Sequence, residues 1–377
     1  MMTKKVVMLL LKDYAPDPRL KKEAEFLVKN GFEVTILAWQ YKKDYPKFQS
    51  ITGVKIIHLG PKINGSKASL ISGIIKFSLK AIRYCIKHKY DILHCHDLTT
   101  LHIGVIMKMI KGRKMIYDSH EHYPSMLKDM WKPLYGFGVF IEYIYSLFFD
   151  MIITTNSKIA NKLKKYKRKI FVVSNFIDLK WYDQQKIIKT GVKTKLPIVL
   201  YEGIIKANRG LKELIDAKKY MKNKSLFLIV GDGPYLQQLE QYTKKQNIKN
   251  IILTGYKPYN QMPSYIKIST CGVNLLKRSF NNVFGNPNKI FEYIAGNIPM
   301  VVTNLPLMTE VIERANCGVI VKKVKPKEIA EKLDMILENK NKAKQMGKEG
   351  RKIVEKFYNW EMQTQSLKNA YDYLISK

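Results

Sequence analysis

The residues best suited to chemistry lie in the second half of this 377-residue chain. Asn286 to Pro299 reads N-P-N-K-I-F-E-Y-I-A-G-N-I-P, in which Pro287 suits a helix start and Lys289 and Glu292 fall on one helical face. An ammonium and a carboxylate together at a helix N-terminus can meet a phosphate and a pair of vicinal hydroxyls. The carboxylate accepts only, which suits Glu292 to a diol, and Asn288 stands beside Lys289 in the same turn. A surface i,i+3 ion pair, contributing roughly a few tenths of a kcal/mol, is the plainer account. Farther upstream, Glu202-Gly203, Lys206, Asn208, Arg209 and Gly210 lead from a strand into a helix at Leu211. Such a turn offers backbone N–H donors to a phosphate, and Arg209 adds a fork that suits diphosphate oxygens. An ordinary strand-to-helix loop with a surface arginine would read the same way. Val230-Gly231-Asp232-Gly233-Pro234 turns sharply through two glycines, so that backbone can approach a ligand. It lacks the full G-x-G-x-x-G fingerprint and is weak alone.

All seven histidines fall between His58 and His122. His94, His96 and Asp97 follow one predicted strand, and His120, Glu121 and His122 follow another; both groups sit where open α/β sheets bind ligands. His-x-His with a carboxylate can ligate zinc. An extended segment is expected to divide its side chains between two faces, so a single site-facing histidine is preferred and no metal is assigned. His120 and Glu121 are the preferred functional pair, against a loop whose polar groups serve only local turns. Asp17 and Arg19 bracket Pro18, a pattern equally suited to helix capping and to the floor of a site.

Positioning these groups takes a repeated alternation of short apolar runs with helix-period segments, the mark of parallel sheets wrapped by helices. Val6–Leu11, Val34–Ala38, Asp91–His94, Lys114–Tyr117, Met151–Thr155 and Ile170–Val173 form a first series of strands, with a helix over Arg19–Asn30. Ile198–Tyr201, Ser225–Val230, Ile251–Thr254, Gly272–Leu275, Met300–Val302 and Gly318–Val321 form a second. The fold class is α/β, with two Rossmann-like doubly wound domains facing across a cleft. Residues 1–183 make an N-terminal acceptor-side domain, 184–196 a Lys-rich linker, 197–357 a C-terminal domain carrying the motifs above, and 358–377 a helix returning to the first domain.

Composition narrows the classes. A hydrophobic content of 46% excludes a disordered chain. Four scattered cysteines, none in a C-x-x-C pair, suit a reducing compartment. Sixty-six Lys and Arg against 31 Asp and Glu give +35, a field that favours phosphorylated substrates or anionic surfaces. No nucleic-acid motif accompanies the charge, so nucleic acid is excluded as a partner. Neither a secretory signal nor a spanning helix is legible, which points to the cytoplasm, peripheral on the inner face of a membrane. Lys76, Lys80, Arg83 and Lys87 form one helical stripe near Ile71, Ile74, Ile75, Ile82 and Ile86, and 158–169 holds seven cations and no acid. Both suit an anionic membrane surface, although a core-facing helix with a solvated basic face fits the first segment as well.

Together these strings resemble the group 1 (family 4-like) retaining glycosyltransferases of the GT-B fold, whose members often read P-x-K-x-x-E-Y before a small residue and a glycine. G-D-G-P at Gly231–Pro234 and the Arg209-Gly210 turn are similar to that family's donor-site elements. Phe357-Tyr358-Asn359-Trp360 is similar to its F-s-W motif, and D-P-R, H-x-H-D, Y-D-S-H-E and S-N-F-I-D extend the likeness through the first half. The family's earlier glutamate, expected at 284, is replaced by Phe284.

The resemblance implies a hexosyltransferase-like enzyme that moves a sugar from a nucleoside-diphosphate donor to an acceptor hydroxyl, with retention. It implies a lipid-linked or saccharide acceptor in cell-surface polysaccharide or glycolipid synthesis, with the nucleotide sugar as co-substrate and no separate cofactor. Gly203, Arg209, Gly231, Gly233, Asn288, Lys289 and Glu292 would bind the donor, and His120, Glu121, Arg209 and Lys289 would act in catalysis. A sugar-nucleotide epimerase of the same fold and a non-catalytic partner subunit, the latter suggested by Phe284, are the alternatives.

Overall fold

The computed structural model describes residues 3–14, 18–40, 45–62, 66–285 and 287–376; Asp17 and Asn286 lie outside them. The chain forms two compact units, one of residues 1–175 with 363–377 and one of residues 176–362.

The first unit is built on an eight-stranded sheet. Its strands are β1 (Lys5–Leu10), β2 (Glu33–Trp39), β3 (Phe48–Ile51), β4 (Val54–Leu59), β5 (Ile92–His96), β6 (Lys114–Ser119), β7 (Met151–Thr154) and β8 (Lys169–Val172), in the order β3-β4-β2-β1-β5-β6-β7-β8. All neighbours run parallel except the β3–β4 hairpin. That hairpin was not expected from the sequence. Its two-residue turn places Thr52 and Gly53 at φ 49° and 82°, both left-handed, as a primed hairpin turn requires. β1, β2, β5, β6 and β7 are nearly continuous buried runs, as a parallel sheet covered on both faces demands.

The second unit holds a six-stranded parallel sheet in the order β11-β10-β9-β12-β13-β14. These strands are β9 (Ile198–Glu202), β10 (Leu226–Val230), β11 (Ile251–Leu253), β12 (Cys271–Asn274), β13 (Met300–Thr303) and β14 (Gly318–Val321). One apolar cluster packs Leu200, Phe291, Tyr293 and Ile294 on one side of the sheet, and another packs Val199, Ile229, Leu214 and Leu333 on the other. Segment 184–196 has neither helix nor strand and lies within this unit, where Val192 and Leu196 pack on the core. Leu179 and Tyr182, from the short helix Leu179–Asp183, belong to the same core. The final helix, Trp360–Ser376, begins in the second unit and from Gln363 onward belongs to the first.

Strand order reverses between β1 and β5 in one sheet and between β9 and β12 in the other. Ligands of doubly wound sheets bind beyond the strand ends at such reversals. His96 closes β5 and Glu202 closes β9.

Candidate active site

In the second unit the helix Lys289–Ala295 is anchored by Tyr293, whose ring is fully buried against Gly272 of β12. Its hydroxyl receives the Glu202 backbone N–H at 3.3 Å. That strut holds the start of the helix against the end of β9. Lys289 Nζ lies 3.8 Å from the centroid of the Tyr201 ring, and a Cβ added at Gly203 would meet it at 3.3 Å. Asn288 caps the same helix through its carbonyl, which accepts from Phe291 N at 2.9 Å. Glu292, buried to 8% exposure, accepts from Tyr259 Oη at 3.0 Å, and Tyr259 stacks on Trp181 at 4.8 Å.

The electrostatics of this cluster are unbalanced. Burial, reinforced by the Arg209 charge, brings Lys289 down to about 7, against the pull of Glu202 and Glu292. Arg209 Nε is buried without an acceptor among the described residues. Two cations held near each other are able to receive an anion. Burial, and then the Glu292 charge and carboxyl contact, hold Glu202 well above the usual carboxylate range.

The two glycines of G-D-G turn their α-carbons onto the loop that follows β9. A Cβ at Gly231 (φ +147°) would lie 2.0 Å from the Gly203 carbonyl oxygen, and one at Gly233 (φ +159°) 2.3 Å from that of Ile205. Gly203 N and Ile205 N donate to Val230 O and Asp232 O, each at 2.9 Å. The pair locks two loops backbone to backbone and so fixes the turn that leads to Arg209.

The first unit gathers its histidines around buried Asp118. Arg19 Nη2 donates to both Asp118 oxygens at 2.9 and 3.0 Å and lies 2.9 Å from Glu23 Oε1, while Nη1 donates to the Val173 carbonyl. His94 Nδ1 pairs with Tyr371 Oη at 2.8 Å, so the terminal helix closes over this cluster. His96 Nδ1 lies 2.9 Å from His120 Nε2, and His94 Nε2, His96 Nδ1 and His120 Nε2 each stand 3.5 Å from Asp118 Oδ2. Burial opposes ionisation of Asp118, but Arg19, His120 and His94 hold it well below the usual range. Burial likewise opposes charge on His120, yet Asp97 and Asp118 prevail and raise it to about 9.

The expected divergence of His94 and His96 is corrected here. Residues two apart on a strand share a face, and their rings stack with centroids 4.2 Å apart. Glu23, His94, His96 and Asp118 bring potential metal-ligand atoms within 4.8 Å of one another. The Arg19 guanidinium already rests on both carboxylates, so a divalent cation there would face a resident positive charge.

Asp97 is the strained point of the first unit. Its φ of 62° and ψ of 162° are a glycine conformation, costing about 1–3 kcal/mol in other residues. Asp97 N donates to Asp118 O at 2.8 Å, and Asp97 Oδ1 accepts from His120 N at 3.3 Å. The bend brings the Asp97 carboxylate to 3.8 Å from His120 Nδ1.

Sequence reasoning thus brought Arg209, Lys289 and Glu292 together, with Gly203 and Asn288 beside them, and placed His120 beside its own cluster. Glu121 is exposed; the carboxylates facing His120 are those of Asp97 and Asp118. Arg19 is buried in the ion-pair network. Glu202, Tyr259 and Asp118 were not singled out. For Glu202 the legible signal was a carboxylate closing an apolar strand; for Asp118, the acid within Y-D-S-H-E.

Comparison with known proteins agrees with this arrangement. Residues 183–353 match the family described as glycosyl transferases group 1, and residues 20–181 match glycosyltransferase family 4. An uncharacterized glycosyltransferase of Methanocaldococcus jannaschii is 22% identical over 367 residues, covering 92% of this chain and 91% of the relative. Alpha-D-kanosaminyltransferase of Streptomyces kanamyceticus is 24% identical over 147 residues, 38% of this chain and 37% of that one. Among solved structures, sucrose-phosphate synthase from Thermosynechococcus elongatus superimposes with a TM-score of 0.83 at 16% identity, covering 99% of each chain. HepE of Anabaena in complex with UDP-glucose gives 0.74 at 13% identity, covering 98% of this chain and 99% of that one. With both halves matched in this order and two Rossmann-like sheets in place, the chain is a glycosyltransferase of the group 1 type on the GT-B fold.

Proposed function

We propose that this enzyme transfers a sugar from a nucleoside-diphosphate donor to an acceptor hydroxyl, and that the second unit holds the donor. The observation that carries this reading is the convergence of Arg209, its Nε buried and unmatched, with Lys289 beside the Glu292 carboxylate at the reversal of the sheet. A diphosphate supplies the missing negative charge, and the ribose diol supplies donors to Glu292. As the glycosidic bond breaks, charge grows on the leaving diphosphate, and Arg209 and Lys289 stabilise it. UDP and UDP-glucose in complexes of HepE support a nucleotide donor.

Retention at the anomeric carbon follows from the family resemblance, with His120 and Glu121 acting from the first unit and no separate cofactor. The acceptor is read as a lipid-linked or saccharide precursor of a surface glycan, met at the inner face of a membrane. Among the described residues no helix is long and apolar enough to cross a membrane. The helix Lys67–Lys87, however, exposes Ile71, Ile75 and Leu79 to 60%, 53% and 63% beside exposed Lys76, Lys80 and Arg83, which suits docking onto anionic lipid.

The deciding experiment is a panel of UDP-, GDP-, ADP- and dTDP-sugars, assayed with and without saccharide and lipid-phosphate acceptors. Acceptor-dependent transfer that survives chelation by EDTA is expected. Isomerised donor formed without acceptor would instead establish the epimerase.

A further inference from the structure

Glu202 closes β9 with only 2% of its surface exposed, and neither carboxyl oxygen has an N–H or hydroxyl donor among the described residues. Its neighbour within hydrogen-bonding reach is another carboxyl, that of Glu292. Two ionised carboxylates only accept, so the contact forms when one of them carries a proton. Glu292 already accepts from Tyr259 at 3.0 Å, which suits its charged form and leaves Glu202 as the protonated partner.

We propose that Glu202 is a positioning residue: one proton is shared between Glu202 and Glu292, and the Glu202 hydroxyl, donating to Glu292, fixes the oxygens that receive the donor's ribose diol. The proposal rests on the nucleotide reading above and adds a second role. With Glu202 neutral, Arg209 and Lys289 outweigh the charge of Glu292 and the cluster stays attractive to diphosphate. Ionised Glu202 would cancel that excess. The groups facing the pair are Arg209 from the turn after β9, Lys289 and Tyr293 from the helix Lys289–Ala295, and Tyr201 on β9 itself. Tyr259 and Tyr182 also stand near both carboxyls.

The first test needs no ligand. The folded pair keeps a proton that an unfolded glutamate releases above its ordinary value of 4.5. The pair's contribution to wild-type stability therefore falls as pH rises from 5.5 to 8.5 (test conditions set at about one unit above that value and about four), whereas Glu202→Gln escapes this loss. The guanidinium midpoint of Glu202→Gln should rise relative to wild type across that range; a constant difference overturns the shared proton. In protein labelled with [13C]glutamate, a side-chain carboxyl resonance present in wild type and missing from Glu202→Gln should titrate well above the ordinary carboxylate range, as that of buried Glu142 also does, and its titration in the ordinary range overturns the proposal.

The second test is calorimetric titration with UDP, GDP, ADP and dTDP at neutral pH. Glu202→Leu should weaken the nucleotide that binds wild type by roughly tenfold, and Glu202→Gln should recover most of that loss. Equal loss in both variants, or none in either, overturns the positioning role. Failure of all four nucleotides to bind wild type overturns the nucleotide reading and the positioning role with it, while the first test still decides the shared proton.

Discussion

Each unit gathers charged groups where the strand order of its sheet reverses, yet one cluster is closed and the other open. Around Asp118 the ion pairs close within the protein: Arg19 lies on Asp118 and Glu23, and Tyr371 and three histidines complete the shell. Around Lys289 two cations converge on one another, and a carboxyl is kept neutral by burial and a like neighbour. A closed cluster stabilises the fold and positions one residue, His120, at its edge. An open cluster is completed by its ligand. Burial alone does not separate structure from function; the local charge balance does.

The sharpest way to break this contrast is to remove one charge from each cluster. Lys289→Ala or Arg209→Ala should lower transfer by about 10²–10³-fold, the usual effect of losing a donor to developing charge, with the guanidinium midpoint unchanged or raised. A midpoint that falls steeply would place these cations among the structural charges. Asp118→Asn should do the reverse, losing about 3–5 kcal/mol of stability because Arg19 and His120 keep positive charges without the carboxylate they rest on. Denaturant unfolding of the variant measures this, and a loss below about 1 kcal/mol would show that the first cluster is not closed.

A smaller effect sharpens the open cluster. Because free Lys289 titrates at about 7, it is mostly neutral at a pH one unit higher, and a bound diphosphate restores its proton. Nucleotide binding near pH 8 should take up close to one proton, seen as a dependence of the calorimetric heat on buffer ionisation enthalpy. No dependence would mean Lys289 stays charged in the free enzyme.

The smallest effect tests the edge of the closed cluster. Asp97→Gly relieves the strained backbone and should stabilise the fold by about 1 kcal/mol, partly offset by the added freedom of the unfolded chain. It also removes a carboxylate that favours the charged form of His120. His120 contributes stability that is full below about 6.5 and lost as pH rises through about 9, so the variant should lose that contribution at lower pH. Comparing unfolding midpoints at pH 6 and pH 9 (roughly the ends of that window) checks both signs.

Much of this was legible in the chain itself, for definite reasons. The parallel strands announced themselves as apolar runs because both sheet faces are covered. The β3–β4 hairpin escaped because Phe48 and Ile51 are exposed, so no core face enforced an apolar pattern. Lys289 and Glu292 were readable as a pair because helix geometry alone puts them on one face. Glu202 was not, since its partner lies ninety positions away and only the packing of Tyr293 against β12 brings them together. The partner of Gly231 and Gly233 was hidden for the same reason: close backbone approach was inferred, and the backbone their α-carbons approach is that of residues 203–205.

Periodicity and local chemistry, then, were enough to determine two α/β sheets, their strand ends and the residue types gathered there, because these depend on neighbours a few positions apart. Which charges face one another was decided by tertiary structure alone. Whether a buried carboxyl meets an arginine, as Asp118 does, or a second carboxyl, as Glu202 does, depends on segments far apart in sequence, and that meeting sets its protonation.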